Sequence, residues 1–202
     1  DPQPVTTKPE LGLVSGYRAV MVGTGRYLGT DDPDDVSQQT IYAIRDDLSG
    51  VTVNARTETV SQTLAVDPSD DTKRTTTSNN AVDWGSAKGW RVDLPDTGER
   101  VNVDPILQLG TLVVASNVPH EDVCESGGYS FVNYLNFATG KGTSVKLSGA
   151  LIVGINVVQL PGGVVKVIVT TADNQQITRD VPVDPAGFSG RRVSWRELIQ
   201  GQ

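Results

Sequence analysis

The chain has 202 residues, with 17 Lys and Arg against 24 Asp and Glu, a net charge of −7, and 37% apolar residues. That length fits one large β domain or a part of a bigger one, and the acidic balance repels phosphate backbones, which argues against a nucleic-acid partner. The longest apolar run, Leu151 to Leu160, is interrupted by Gly154 and Asn156 and falls short of the ~18 residues a spanning helix needs, so no transmembrane segment is expected.

Residues 1–10 are polar and proline-rich and read as a linker or a cut interior loop, leaving 11–202 as the folded part. Asp1-Pro-Gln-Pro4 has neither the basic start nor the apolar core of a secretory leader. Either a leader has been removed or the chain is a piece of a longer precursor. The second reading is preferred, because about four propeller blades of ~40–50 residues would fill this length.

Tyr17 to Gly23 reads as a strand in which Ala19, Met21 and Gly23 alternate with Val20 and Val22. Both faces are apolar, as expected of a strand packed between two sheets. Gly23-Thr-Gly25 before Arg26 has part of a phosphate-cradling pattern, but Leu28 stands where the third glycine belongs and no helix follows. A close approach of strand ends is the better reading. Asp31 to Gln39 is an acidic loop in which Asp31, Asp32, Asp34 and Asp35 offer oxygens to a hard cation. The loop lacks the alternate spacing and glycine of an EF-hand, and a solvated loop is preferred.

Thr40 to Arg45 is the next strand, and Thr57 to Val66, rich in Thr and Val, another. Asp67 to Asn80 reads as a long polar loop; its Asp67, Asp70 and Asp71 fail the same calcium test. Trp84 to Trp90 leads into Arg91–Leu94, Pro95-Asp-Thr-Gly98 makes a turn, and Glu99 to Val103 continues as a strand. Trp84, Trp90 and Trp195 are read as packing residues rather than a ligand platform.

The stretch from Gly110 to Gly140 repeats the one from Tyr17 to Gly50. Thr111-Leu-Val-Val-Ala115 answers Arg18-Ala-Val-Met-Val22, and Val132-Asn-Tyr-Leu-Asn-Phe-Ala-Thr-Gly140 answers Ile41-Tyr-Ala-Ile-Arg-Asp-Asp-Leu-Ser-Gly50. Gly50 and Gly140 stand 90 residues apart, and Val22 and Val114 stand 92 apart. Half of that is about 45, the period of one four-stranded propeller blade.

Between the repeated runs lie His120 and Cys124, the one histidine and the one cysteine of the chain, flanked by Glu121 and Asp122. A zinc site needs three or four clustered ligands and a nucleophile needs an oriented base, so a polar turn is preferred to either. A single cysteine makes no internal disulfide; Cys124 is free or pairs outside the chain. Ser126-Gly-Gly-Tyr129 reads as a close backbone approach. Ala150–Gln159, Val164–Thr171 and Gln175–Val183 follow as strands, joined at Gly162-Gly163 and Ala172-Asp-Asn174, and Arg191 to Leu198 gives a last strand and a short helical turn. Amphipathic helices are absent from the pattern, and the chain reads as all-β. No catalytic, cofactor-binding or metal-binding residue is assigned.

Six segments carry a resemblance in sequence order: Val22-Gly-Thr-Gly-Arg-Tyr-Leu-Gly29, Thr40-Ile-Tyr-Ala-Ile44, Gly89-Trp-Arg-Val-Asp-Leu-Pro-Asp-Thr-Gly-Glu-Arg-Val101, Asp104-Pro-Ile-Leu107, Asp122-Val-Cys-Glu-Ser-Gly-Gly-Tyr-Ser-Phe131 and Arg192-Val-Ser-Trp-Arg-Glu-Leu198. Together they resemble the PilY/PilC family of type IV pilus biogenesis factors and tip-associated adhesins. The resemblance implies a modified, quinoprotein-like β-propeller, or its C-terminal blades, at the end of a large exported protein. Such a protein acts at the pilus tip or at the outer membrane and periplasm. It implies binding to minor pilins, support of pilus extension, adhesion and twitching motility, a host surface receptor as a further partner, and N-terminal blades of the same propeller lying outside this chain. It implies no enzyme activity and no cofactor; the family's calcium loop has no counterpart here, and Phe131 stands where the family carries Trp. Two rivals stand beside this reading: a glycan- or matrix-binding propeller without a pilus role, and a quinoprotein-type dehydrogenase propeller.

Overall fold

The computed structural model describes residues 3–50, 52–119 and 127–183. The first part of the chain forms β1 (Glu10–Val14), β2 (Tyr17–Gly23), β3 (Thr40–Asp46), the single helical turn α1 (Ala55–Glu58), β4 (Val60–Gln62), β5 (Leu64–Asp67), β6 (Asp70–Thr76) and β7 (Gly89–Asp93). The second part forms β8 (Ile106–Gln108), β9 (Thr111–Pro119), β10 (Gly128–Asn136), β11 (Gly142–Ser148), β12 (Ile152–Gln159), β13 (Val165–Thr171) and β14 (Gln176–Asp180). The described residues are thus all-β, apart from α1 and one 3-10 turn at Asp32–Asp34.

These strands make three sheets. The first is the antiparallel meander β1-β2-β3-β7, with β4 added parallel to β7. The second is the meander β8-β9-β10-β11, extended at the β11 edge by the β6-β5 hairpin. The third is β12-β13-β14. The sheets stack through two cores. Ala19, Met21, Ile41 and Trp90 of the first sheet pack with Leu107, Leu112, Val114 and Leu135 of the second. On the other side of the second sheet, Val113, Ala115, Val132 and Tyr134 pack with Val165, Val167 and Val169 of the third. The middle sheet is therefore covered on both faces, and β9 is buried from Thr111 to Val118.

The internal repeat is real, but its period differs from expectation. The repeated runs are β2 and β3 of one meander and β9 and β10 of the next. Each meander opens with the same two-residue hairpin, Ser15-Gly16 and Leu109-Gly110, all four residues at positive φ, as the twist of a tight hairpin demands. The 90-residue interval is one repeat lengthened by α1, β4 and the β5-β6 hairpin, and not two repeats of 45.

Other expectations are corrected as follows. Thr57 and Glu58 lie in α1, where the Glu58 carboxylate accepts the Asn54 backbone N–H at 2.5 Å; the strand begins at Val60. The stretch read as a loop from Asp67 contains β6, which pairs with β5 on one side and β11 on the other. Its sequence gave no apolar alternation because the side chain it buries is Arg74, 1% exposed. Glu99 to Val103 makes a single bridge, Arg100 to Asn117, rather than a strand. The second face of β2 is half-buried, with Val20 and Val22 covered by no sheet among the described residues. Strands β1, β8 and β11 were not read from the sequence.

Candidate functional site

The most tightly built region joins the two segments Val22–Gly29 and Gly89–Val101. The first leaves the end of β2, and the second runs through β7 and the turn that follows it. The two are laced together: Val101 N–H donates to Thr24 O at 2.9 Å, and Thr40 N–H donates to Thr24 Oγ1 at 2.9 Å. A Cβ at Gly23 would lie 2.4 Å from Val101, and one at Gly25 2.6 Å from Arg100. These glycines serve the close approach of the two segments.

Arg100 is the centre of this junction. Its side chain is 2% exposed, and it donates to five backbone carbonyls. Nε donates to Gly98 O at 2.9 Å. Nη1 donates to Arg26 O at 3.1 Å and to Asp32 O, and Nη2 to Asp35 O at 2.7 Å and Pro33 O at 3.4 Å. The acidic loop considered for calcium is thus wrapped around a guanidinium. Its carbonyls, the ligands a hard cation would use, are directed at a built-in cation. Burial pulls the Arg100 guanidinium below its ordinary value, with Asp35 and Asp32 acting in the opposite sense.

The Asp32 carboxylate points away from that centre. It accepts the backbone N–H of Leu28 at 2.7 Å and of Gly29 at 2.8 Å, and pairs with Arg26 Nε at 2.7 Å. These backbone hydrogen bonds, helped by Arg26, hold its pKa down at about 2. In the second acidic segment, Asp67 accepts from Ser69, and Asp70 accepts from Thr72 and pairs with Lys73 at 2.8 Å. Each carboxylate closes its own turn. No group of three potential metal ligands occurs among the described residues.

Glu99, beside Arg100, turns the other way into the interface between the first and second sheets. It is 1% exposed and meets Arg74 Nη1 with both oxygens, at 3.0 and 2.9 Å. Ser116 Oγ donates to it at 2.6 Å. Burial pushes the Glu99 carboxyl up, against the pull of Arg74. The Arg74 guanidinium also lies 3.3 Å from the Phe131 ring centroid and 2.7 Å from Asp96. Tyr129 donates its hydroxyl to Asp96 at 2.9 Å. Phe131, the departure noted in the sequence, is therefore the plate on which a buried arginine lies. Sequence reasoning missed Arg74, Glu99 and Arg100 as a set; an arginine in a polar stretch carries no periodic signal.

Trp84 and Trp90 are core residues, 4% and 0% exposed. Their indole N–H groups donate to Ala138 O at 2.7 Å and Phe137 O at 2.8 Å, tying the first sheet to the β10–β11 turn. A Cβ at Gly128 would lie 2.3 Å from Val118 O, the close approach expected there. His120, Glu121, Asp122, Cys124, Ser126, Arg191, Arg192 and Trp195 lie outside the described residues.

These features define a class: a stacked β-sheet scaffold in which buried arginines set the shape of the loops between strands. The chain is a distant homologue, over nearly its whole length, of type IV pilus biogenesis factors of the PilY1 kind. It is similar to a type IV pilus biogenesis factor PilY1 homolog of Xylella fastidiosa (strain Temecula1), with 27% identity over 226 aligned residues covering 98% of this chain. A second protein of the same description and organism is 32% identical over 148 residues, covering 68% of this chain. The chain spans 18% and 10% of the lengths of these two relatives. No family model and no solved structure matches it.

Proposed function

We propose that this chain is a propeller-forming portion of an exported type IV pilus biogenesis factor and promotes pilus extension by surface contact. The observation that carries the reading is the similarity to PilY1 homologs across 98% of the chain. The propeller part is supported by two successive four-stranded antiparallel meanders stacked face to face, the pattern of neighbouring blades. In this reading residues 11–202 belong to the C-terminal part of the propeller. The protein acts at the pilus tip or at the outer membrane, binds minor pilins, and opposes retraction of the nascent pilus. It thereby supports adhesion, to a host receptor among other surfaces, and twitching. The contact is non-catalytic, and the acidic surface favours a basic or polar partner face.

The test is surface pilin on cells with an in-frame deletion of this segment, in retraction-competent and retraction-deficient backgrounds. Loss of pili only where retraction operates is the expected result. Normal pili in both backgrounds would remove the assembly role.

A further inference from the structure

A cavity of about 180 Å³ opens at one end of the seam between the middle and third sheets. Its walls are Gly110 and Thr111 at the start of β9, Tyr134 and Asn136 at the end of β10, and Lys141 to Thr143 around the start of β11. Pro182, just past β14, closes a further side and is held there by Thr111 Oγ1, which donates to Pro182 O at 2.9 Å. The register decides which side chains face this space. Val113, Tyr134 and Thr143 form one cross-strand row, and Val113 and Tyr134 pack on the third sheet. Thr143 therefore stands on the same face, as do Thr111 and Asn136, which pair with each other two residues along. Arg179 of β14 pairs with Val167, a core residue of that interface, so its side chain is on the face turned to the middle sheet.

The polar groups gathered here are donors in excess of acceptors. Tyr134 is only 4% exposed, and its buried hydroxyl has no hydrogen-bond partner. Burial pushes that hydroxyl up to about 12, against the pull of Arg179, so it stays protonated and able to donate at neutral pH. Arg179 Nε is also buried without a hydrogen-bond partner. Asn136 turns its Oδ1 to the backbone N–H groups of Ala138 and Thr139, at 3.0 and 3.1 Å, which leaves Nδ2 as its donating end. Lys141 Nζ donates to Asn79 Oδ1 and has two further protons. No Asp or Glu forms a wall of the cavity. Asp180, the carboxylate nearest in sequence to Arg179, is exposed and pairs with Lys166 at 2.6 Å.

We propose that this cavity binds a small monocarboxylate, whose oxygens accept from the Tyr134 hydroxyl, Asn136 Nδ2 and Lys141 Nζ. Arg179 adds positive charge from the third sheet, and the Tyr134 ring and Pro182 meet the apolar part of the ligand. One lysine among neutral donors matches the single charge of a carboxylate better than the double charge of a phosphate. A cavity of ~150 Å³ holds one benzene-sized molecule, so the occupant has about six to nine non-hydrogen atoms. The net charge of the chain is −7, so the attraction for an anion is local to these residues. The site involves no bond chemistry and stands whether or not the chain acts in a pilus.

The experiment titrates the chain with acetate, butyrate and benzoate at constant ionic strength and follows the backbone amide NMR shifts. Chloride and inorganic phosphate are the controls. The expected result is saturable shifts centred on Gly110, Thr111, Gly142 and Thr143, with a Kd of about 1 mM or tighter for butyrate or benzoate. Tyr134→Phe keeps the ring and removes only the unpartnered hydroxyl. It should melt no lower than the parent and bind at least about fivefold more weakly. Lys141→Gln should weaken binding about tenfold. Shifts that stay linear to ~50 mM, or that phosphate or chloride reproduces at the same strength, overturn the site. A folded Tyr134→Phe variant with parental affinity overturns it as well. If that variant does not fold, Lys141→Gln decides, and parental affinity there overturns the proposal.

Discussion

Replacing Glu99 by Gln tests the junction most directly. Glu99 and Arg74 are each 1% exposed and share two contacts near 3 Å. Breaking such a buried pair from one side costs about 3–5 kcal/mol, because the remaining charge is stranded. Asp96, 2.7 Å from Arg74 and 30% exposed on its side chain, offsets part of this, so about 3 kcal/mol is expected for Glu99→Gln. For a chain of this size that is a fall in melting temperature of roughly 6–12 °C. Arg74→Met should cost a similar amount. The double variant removes both charges and should return to within about 1–2 kcal/mol of the parent. Urea unfolding followed by the fluorescence of the buried Trp84 and Trp90 reads all four proteins, with an unchanged slope as the check on two-state behaviour. Single variants that cost less than ~1 kcal/mol, or a double variant as damaging as the sum of the singles, would refute the argument that one buried pair locks the β5-β6 hairpin to the sheet interface.

Arg100→Ala should release the loop from Arg26 to Asp35, seen as loss of hydrogen-exchange protection at Asp35 N–H, which donates to Asp32 O at 3.1 Å. Arg100→Lys should rescue it only in part, since an ammonium has three donors and no planar fork; full rescue would sink the cage argument. Gly140→Ala and Gly50→Ala share a strained φ, +71° and +70°, but only at Gly140 does the new Cβ meet an indole, that of Trp90, 2.6 Å away. Gly50→Ala should cost about 1 kcal/mol and Gly140→Ala at least about twice that; equal losses would show that Trp90 yields freely. Asp32 has a depressed folded-state pKa, so its contribution to stability is present above the ordinary carboxylate value of 3.8 and is lost as pH falls through about 2. The amide shifts of Leu28 and Gly29 should titrate near 2, and a midpoint near 4 would mean that those hydrogen bonds do not form in solution.

The strands that were legible in the sequence are those with apolar runs or alternation: β2, β3, β7, β9, β10 and the whole third sheet. The hairpin β5-β6 was half lost because Asp70–Thr76 is polar at every position. Its register is set by edge pairing on both sides and by one buried charge, neither of which leaves a period in the sequence. Strands β1 and β8 are short and were hidden beside proline-rich and turn-like residues. The repeat was visible, but halving its 90-residue offset assumed an uninterrupted array, whereas inserted segments lengthen loops at little thermodynamic cost. The acidic loop shows no EF-hand spacing, and the group at its centre, Arg100, lies 65 residues or more from the loop carbonyls it binds. Only the fold brings the two together.

The middle sheet shows why polar residues are built into this interior. A strand with one wet face has its register fixed by alternation, since a one-residue slip exposes the apolar side. β9 has no wet face: Thr111 through Val118 are buried. Apolar burial alone would tolerate a slip of that strand against β10. The hydrogen bonds do not. Asn133 Nδ2 donates to Ser116 Oγ at 3.0 Å, Ser144 Oγ donates to Asn133 Oδ1 at 2.5 Å, and Ser130 Oγ donates to Asn117 Oδ1 at 2.6 Å. Ser116 in turn meets Glu99, which holds Arg74 on β6. A slip by one residue turns Ser116 and Asn133 to the face where Val113, Ala115 and Val132 sit against the third sheet, and Asn117 and Ser130 to the face where Leu112, Val114 and Leu135 sit against the first. Each polar group left unpaired costs about 1–3 kcal/mol, so the groups of the three broken bonds together cost an amount comparable with the stability margin of about 5–15 kcal/mol available to a domain. The polar ladder thus selects the register that stacking of the three sheets requires, and the same Glu99–Arg100 step passes that register on to the loop leaving β2.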